Sequence, residues 1–179
     1  MTTSELTEHT VTGERADLLE TLRKHRFFLR FTVRDLTDEQ IGLRPTVSEL
    51  CLGGLIKHVT ACERQWAKFI VEGTSAIPGF TEMSAADAAS WGAEFQVTEA
   101  NTLAGLLADY EEVARRTDEL VISLPDLDIA HPLPSAPWFE AGARWSGRRV
   151  LLHIIAETAQ HAGHADIIRE SLDGQKTMG

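Results

Sequence analysis

The stretch Val150–Gly174, VLLHIIAETAQHAGHADIIRESLDG, decides both the fold and the chemistry of this 179-residue chain. In steps of four and three, Val150, Ile154, Glu157, His161, Ala165, Ile168 and Leu172 share one face of a helix, because side chains three and four positions apart stack over one another. Glu157 and His161 interrupt an otherwise apolar stripe. A carboxylate and an imidazole turned toward a core cost several kcal/mol unless a charged or hydrogen-bonding group meets them. For two such groups one turn apart, the least costly partner is a divalent cation with a third ligand.

Length and composition bound what this helix belongs to. At 179 residues and 43% hydrophobic, the chain fills one core and is too short for two, so one domain over 1–179 is expected, with residues 1–13 a polar leader. The net charge of −10 repels a phosphate backbone, and Lys and Arg form no basic run, which argues against nucleic acid as a partner. No stretch approaches the roughly 18 apolar residues of a membrane span, and MTTSELTEHTVTGER has no signal-peptide core, so a cytoplasmic protein with no membrane partner is expected. Cys51 and Cys62, eleven residues apart on one expected helix, are too far apart along its axis for a disulfide and fit a reducing compartment.

Four long helices are expected. The first covers Glu14 to Leu36, with Leu18, Leu22, His25, Leu29, Val33 and Leu36 on one face; a short turn capped by Thr37 follows, and Pro45 ends it. The second covers Glu49 to Glu72, capped by Ser48 and ended by Gly73, with Cys51, Leu55, His58, Cys62, Trp66 and Phe69 inward. A long link from Gly73 to Asn101, with a helical turn near Ala85–Trp91, carries the chain the length of a bundle. The third covers Thr102 to Ser123, with Leu103, Leu106, Tyr110, Val113, Thr117, Leu120 and Leu124 inward and Pro125 closing it. A second link holds HPLPSAP, too stiff for helix or central strand, before the fourth helix from Ser146 to Leu172 with Gly174 as its cap. Nothing alternates enough to read as a strand, and the fold class is an all-α four-helix bundle with two long irregular links.

A metal needs ligands from more than one helix, and His58, mid-helix on the apolar face of the second, is the best third ligand beside Glu157 and His161. Two imidazoles and a carboxylate leave a position open on zinc, and the same set suits non-haem iron. Zinc is the first choice, with nickel or iron as alternatives. A single histidine on an apolar face is more often a hydrogen-bonded core residue than a ligand; the three together favour the metal. His164 is a fourth ligand, a group that supports the ligands from behind, a proton carrier or a surface residue. His153 packs or orients. His25 and Tyr110 are candidates to line the pocket, or are amphipathic residues at the bundle edge. Cys62, one turn from His58, is a buried cysteine or, as a lesser alternative, a nucleophile. Trp66, Trp91, Trp138 and Trp145 pack, the last two in a link able to cover a pocket.

The segments LGGLIKHVTACERQW, from Leu52 to Trp66, and RWSGRRVLLHIIAETAQHAGHADIIRESLDG, from Arg144 to Gly174, resemble the DinB superfamily, in the branch near mycothiol-dependent maleylpyruvate isomerase and the mycothiol S-transferases. The resemblance runs from the first helix through the DG after the fourth. It implies a four-helix bundle in up-down-down-up order and a divalent metal held by His58, in GLIKHV, and by Glu157 and His161. The Glu157 position is histidine in many relatives and glutamate in the isomerase branch. It further implies that the metal activates a low-molecular-weight thiol, mycothiol or a similar one, as thiolate for attack on a small electrophile.

The first functional expectation is therefore a metal-dependent thiol S-transferase or isomerase, with His164, His25 or Tyr110 orienting thiol or substrate. The alternative is a non-enzymatic metal- or ligand-binding protein of stress response or detoxification. A metallo-hydrolase shares the ligand set but lacks the HExxH helix. A homodimer is compatible with a bundle of this size, although no sequence feature requires it.

Overall fold

The computed structural model describes residues 11–77, 79, 84, 86, 92–93 and 95–177. Four long helices occur among them: α1 Glu14–Thr32, α2 Leu52–Glu72, α3 Leu103–Ser123 and α4 Gly147–Asp173. The first ten residues of the expected leader, and nearly all of the turn expected at Ala85–Trp91, lie outside the described residues.

The helix ends follow local chemistry more closely than the apolar pattern does. α4 begins where Ser146 Oγ accepts the Arg149 N–H and stops at Gly174, whose φ of 78° is the left-handed conformation glycine adopts without penalty. α3 begins with Thr102 Oγ1 accepting from Gly105 N, and Asp38 accepts from Leu103 N at 2.6 Å, setting a carboxylate at the positive end of the helix. α1 is shorter than its pattern predicts. It ends at Thr32 rather than Leu36, Asp35 takes φ 60°, and the buried Arg169 guanidinium donates to the carbonyls of Thr32 and Arg34. α2 starts three residues later than expected: Ser48 Oγ accepts from Leu50 N in an exposed turn instead of capping the helix, and Cys51, expected inside it, occupies the N-cap position in extended conformation.

α4 packs against α1 and α2, and α2 also packs against α3. One apolar cluster includes Leu22, Phe69, Val121, Val150, Leu151 and Ile154, and a second includes Leu29, Leu55, Ile56, Val59, Tyr110 and Ala165. Each fully buried aliphatic side chain contributes about 1.5–3 kcal/mol. Arg26 and Glu63 are buried as well, at 2% and 0% exposure. On α1 the buried slot between Leu22 and Leu29 therefore belongs to Arg26, while His25, expected on the inward face, is half-buried.

The expectation of no strand is corrected by a small antiparallel pair, β1 Ala130–Pro132 with β2 Arg144–Ser146, in which His131 faces Trp145. Three residues are too few to show alternation in sequence. Pro132 is tolerated because a two-stranded ribbon has only edges. The ribbon folds the proline-rich link back and presents Trp145 to α2. Neither cysteine is in a disulfide. Among the described residues no helix is long and apolar enough to cross a membrane.

Candidate metal centre

His58 on α2 and Glu157 and His161 on α4 each offer one ligand atom, and the three atoms lie within 4.8 Å of one another. His161 Nε2 is 3.5 Å and His58 Nε2 3.9 Å from Glu157 Oε2. Two donors at about 2.0–2.1 Å from a tetrahedral zinc are about 3.3 Å apart, a spacing that the His161–Glu157 contact nearly has and toward which His58 would have to draw in. The α4 stripe is less uniformly inward than its period suggests. His161 is buried, whereas the His58 and Glu157 side chains keep 20% and 28% of their surface, so the cluster opens at the rim between α2 and α4.

The His161 imidazole, and after it that of His58, holds the Glu157 carboxyl well below the usual carboxylate range, against the upward push of burial. The group is therefore an anion among imidazoles, a composition suited to a cation. The second ring nitrogen of His161 is engaged too: its Nδ1 lies 3.3 Å from His164 Nδ1, so one ring donates to the other and His161 Nε2 stays directed at Glu157. His153 Nε2 is 3.9 Å from Glu157 Oε1, and burial lowers its pKa. Its ring meets the faces or edges of two tryptophans, Trp66 at 4.8 Å and Trp145 at 5.0 Å, which stack on each other at 4.9 Å. On the other side, Phe95 lies nearly parallel to the His58 ring, with centroids 4.2 Å apart.

His25 and Tyr110 meet other partners. The His25 ring meets Phe28 edge-on, and burial lowers its pKa. Tyr110 is 1% exposed, and burial together with the nearby Glu63 charge pushes its phenol up. Thr158 lies close enough to act on that phenol, yet neither hydroxyl reaches satisfactory hydrogen-bond geometry. Cys62 is half-buried against the first apolar cluster.

The sequence reading missed two features. The Arg26–Glu63 pair left a legible signal, since Leu22, Arg26, Leu29 and Val33 form one inward stripe and Val59, Glu63, Trp66 and Ile70 another, each interrupted by a charge of opposite sign. Phe95 left only a weak one, since it is one of three aromatic residues, with Phe80 and Trp91, in the link that follows a helix with paired glycines.

A comparison with curated proteins finds no match. The family model described as mycothiol S-transferase matches residues 17–174, a span that contains all of α2, α3 and α4, the three clustered side chains and the Gly174 cap. In agreement with the resemblance carried by LGGLIKH and QHAGH, the chain belongs to the mycothiol S-transferase family.

Proposed function

We propose that this protein is a metal-dependent S-transferase in which His58, Glu157 and His161 hold a divalent ion, zinc first among the candidates, and a mycothiol-like thiol is conjugated to a small electrophile. One observation carries the reading: donors from two helices converge within 4.8 Å in a chain of this family. The donor set fits the ion, since one carboxylate and two neutral imidazoles leave a dication only half neutralised and able to attract a further anion. Bound there, the ion would supply the Lewis acidity that lowers a thiol pKa toward neutrality.

The chain's own groups support the rest of the reading. Glu157 is kept ionised by the two imidazoles, and His164 orients His161 through the Nδ1 contact. The rim position of His58 and Glu157 gives a small molecule access, and the Trp66–Trp145 stack beside His153 offers it an apolar wall. In the transfer the thiol gives up its proton and the sulfur donates an electron pair to the electrophilic carbon. Either a leaving group departs with its bonding pair or the proton returns to the adduct, so no oxidant or reductant is required.

We also assign the up-down-down-up order. It is supported by Glu14 with Arg148 and Thr32 with Arg169, which pair the starts and ends of α1 and α4, and by the apolar clusters, one joining Leu18 and Val150 to Phe69 and Val121 at the ends of α2 and α3, the other joining Leu29 and Ile168 to Leu55 and Leu106 at their starts. We also propose a cytoplasmic location, a reading supported by the two free cysteines and by a thiol cofactor of the cell interior.

The test is elemental analysis of protein prepared with metal in excess, followed by a thiol-consumption assay with mycothiol and a bimane electrophile. The expected result is one divalent ion per chain, turnover by the wild type, and loss of both in His58→Ala. Protein without metal and without turnover would sink the proposal. Stoichiometric metal with no turnover for any small thiol would favour the non-enzymatic metal- or ligand-binding reading.

A further inference from the structure

The paired glycines of LGGLIKH serve no metal-ligating purpose, and glycine inside a helix costs about 0.5–1 kcal/mol relative to alanine. Their environment accounts for them. A Cβ on Gly54 would lie 2.1 Å from the Phe95 carbonyl oxygen and 2.7 Å from its carbon, and one on Gly53 would lie 2.7 Å from Val97 Cγ2. The link between α2 and α3 thus crosses the first turn of α2 closer than any side chain permits.

Residues on either side of that turn grip the link with polar contacts. Lys57 Nζ donates to the carbonyls of Ala93, at 3.1 Å, and Gln96, at 2.5 Å, and the Cys51 thiol points at the Phe95 carbonyl oxygen at 3.9 Å. Phe95 is held between these anchors. Its ring lies over His58 with centroids 4.2 Å apart and planes inclined by 23°, and its centroid is 6.2 Å from that of His161.

We infer that Phe95, clamped onto α2 by Gly53, Gly54 and Lys57, is a positioning residue that fixes the His58 ring for metal ligation and walls that side of the centre. The inference rests on the metal site proposed above. An imidazole on a helix turns about its side-chain torsions; an aromatic ring stacked on one face restricts that rotation and keeps water off the face, leaving Nε2 directed at Glu157. Groups that orient a metal ligand typically change metal affinity by about 10–100-fold when removed.

Zinc affinity, measured by competition with a chromophoric chelator on the full chain, tests the assignment. Phe95→Ala should weaken zinc binding by about 10–100-fold, and Phe95→Tyr, which keeps the stacking ring, should restore it to within about threefold. Gly54→Ala displaces Phe95 without touching a ligand and should reproduce the loss; should it fail to fold, the Phe95 pair decides alone. The absorption spectrum of the cobalt-loaded protein should change in Phe95→Ala and not in Phe95→Tyr, a signature that general loosening of the link would not give. Wild type that binds zinc while Phe95→Ala binds it equally well overturns this inference alone. Wild type that binds no zinc overturns the metal site and the inference with it.

Discussion

His161 and His164, on successive turns of α4, face each other through their Nδ1 atoms at 3.3 Å. The contact holds the His161 ring with its Nε2 3.5 Å from Glu157, and a bound ion, which needs that Nε2 unprotonated, would make His161 Nδ1 the donor to His164. His164→Ala should therefore weaken metal binding by about 10–100-fold without abolishing it, whereas His161→Ala should abolish it. Metal content after dialysis, together with a zinc titration of each variant, checks the distinction. Equal loss in both variants would make His164 a ligand in its own right.

Removal of the metal should be visible in stability. An ion that binds only the folded chain and is present at a hundred times its dissociation constant adds about 2.7 kcal/mol. For a domain of this size that is a rise of about 5–10 °C in unfolding midpoint, reversed by chelator. His58→Ala should show no such rise. Thermal scans with and without zinc and chelator measure it.

Arg26 and Glu63 form a buried two-point pair, Nη2 to Oε1 at 2.5 Å and Nε to Oε2 at 3.2 Å, and Arg26 reaches on to Asp118 at 2.8 Å. Both pair partners are almost fully shielded from solvent, with side chains 3% and 0% exposed. Glu63→Ala leaves a buried guanidinium with only the partly exposed Asp118 to meet it and should cost about 3–5 kcal/mol, read as a lower urea midpoint. The double variant Arg26→Leu with Glu63→Leu should recover most of that loss, since it removes both charges and fills the space. A double variant no better than the single one would mean that the pair contributes far more than its desolvation costs.

His25 gives the chain a pH dependence of definite sign. Burial, with Lys24 adding to it, lowers the His25 pKa beneath its ordinary value of about 6.5. The unfolded chain therefore binds this proton more readily than the folded one. The resulting stability is fully present above the unfolded pKa and is lost as pH falls through it toward the folded value. Unfolding midpoints should decline below about pH 6.5, and His25→Gln should flatten that decline. A variant with the same slope as wild type would assign the dependence to other groups.

The sequence by itself determined the helices and which residues share a helix face. Leu18 and Leu22, or Glu157 and His161, fall on one side because the backbone repeats every 3.6 residues, and Ser146, Thr102 and Gly174 cap helices through bonds within a turn of themselves. The cation-ready composition of α4 and the single inward histidine of α2 were legible for the same reason. Only the tertiary structure decided what crosses between elements. The rotation and axial offset of α2 against α4 bring His58 rather than Cys62 to Glu157, and a close crossing at Gly53 and Gly54 delivers Phe95. The carbonyls freed at the end of α1 find Arg169, more than a hundred residues later. Such contacts depend on docking angles and on the path of long links, which no local period encodes.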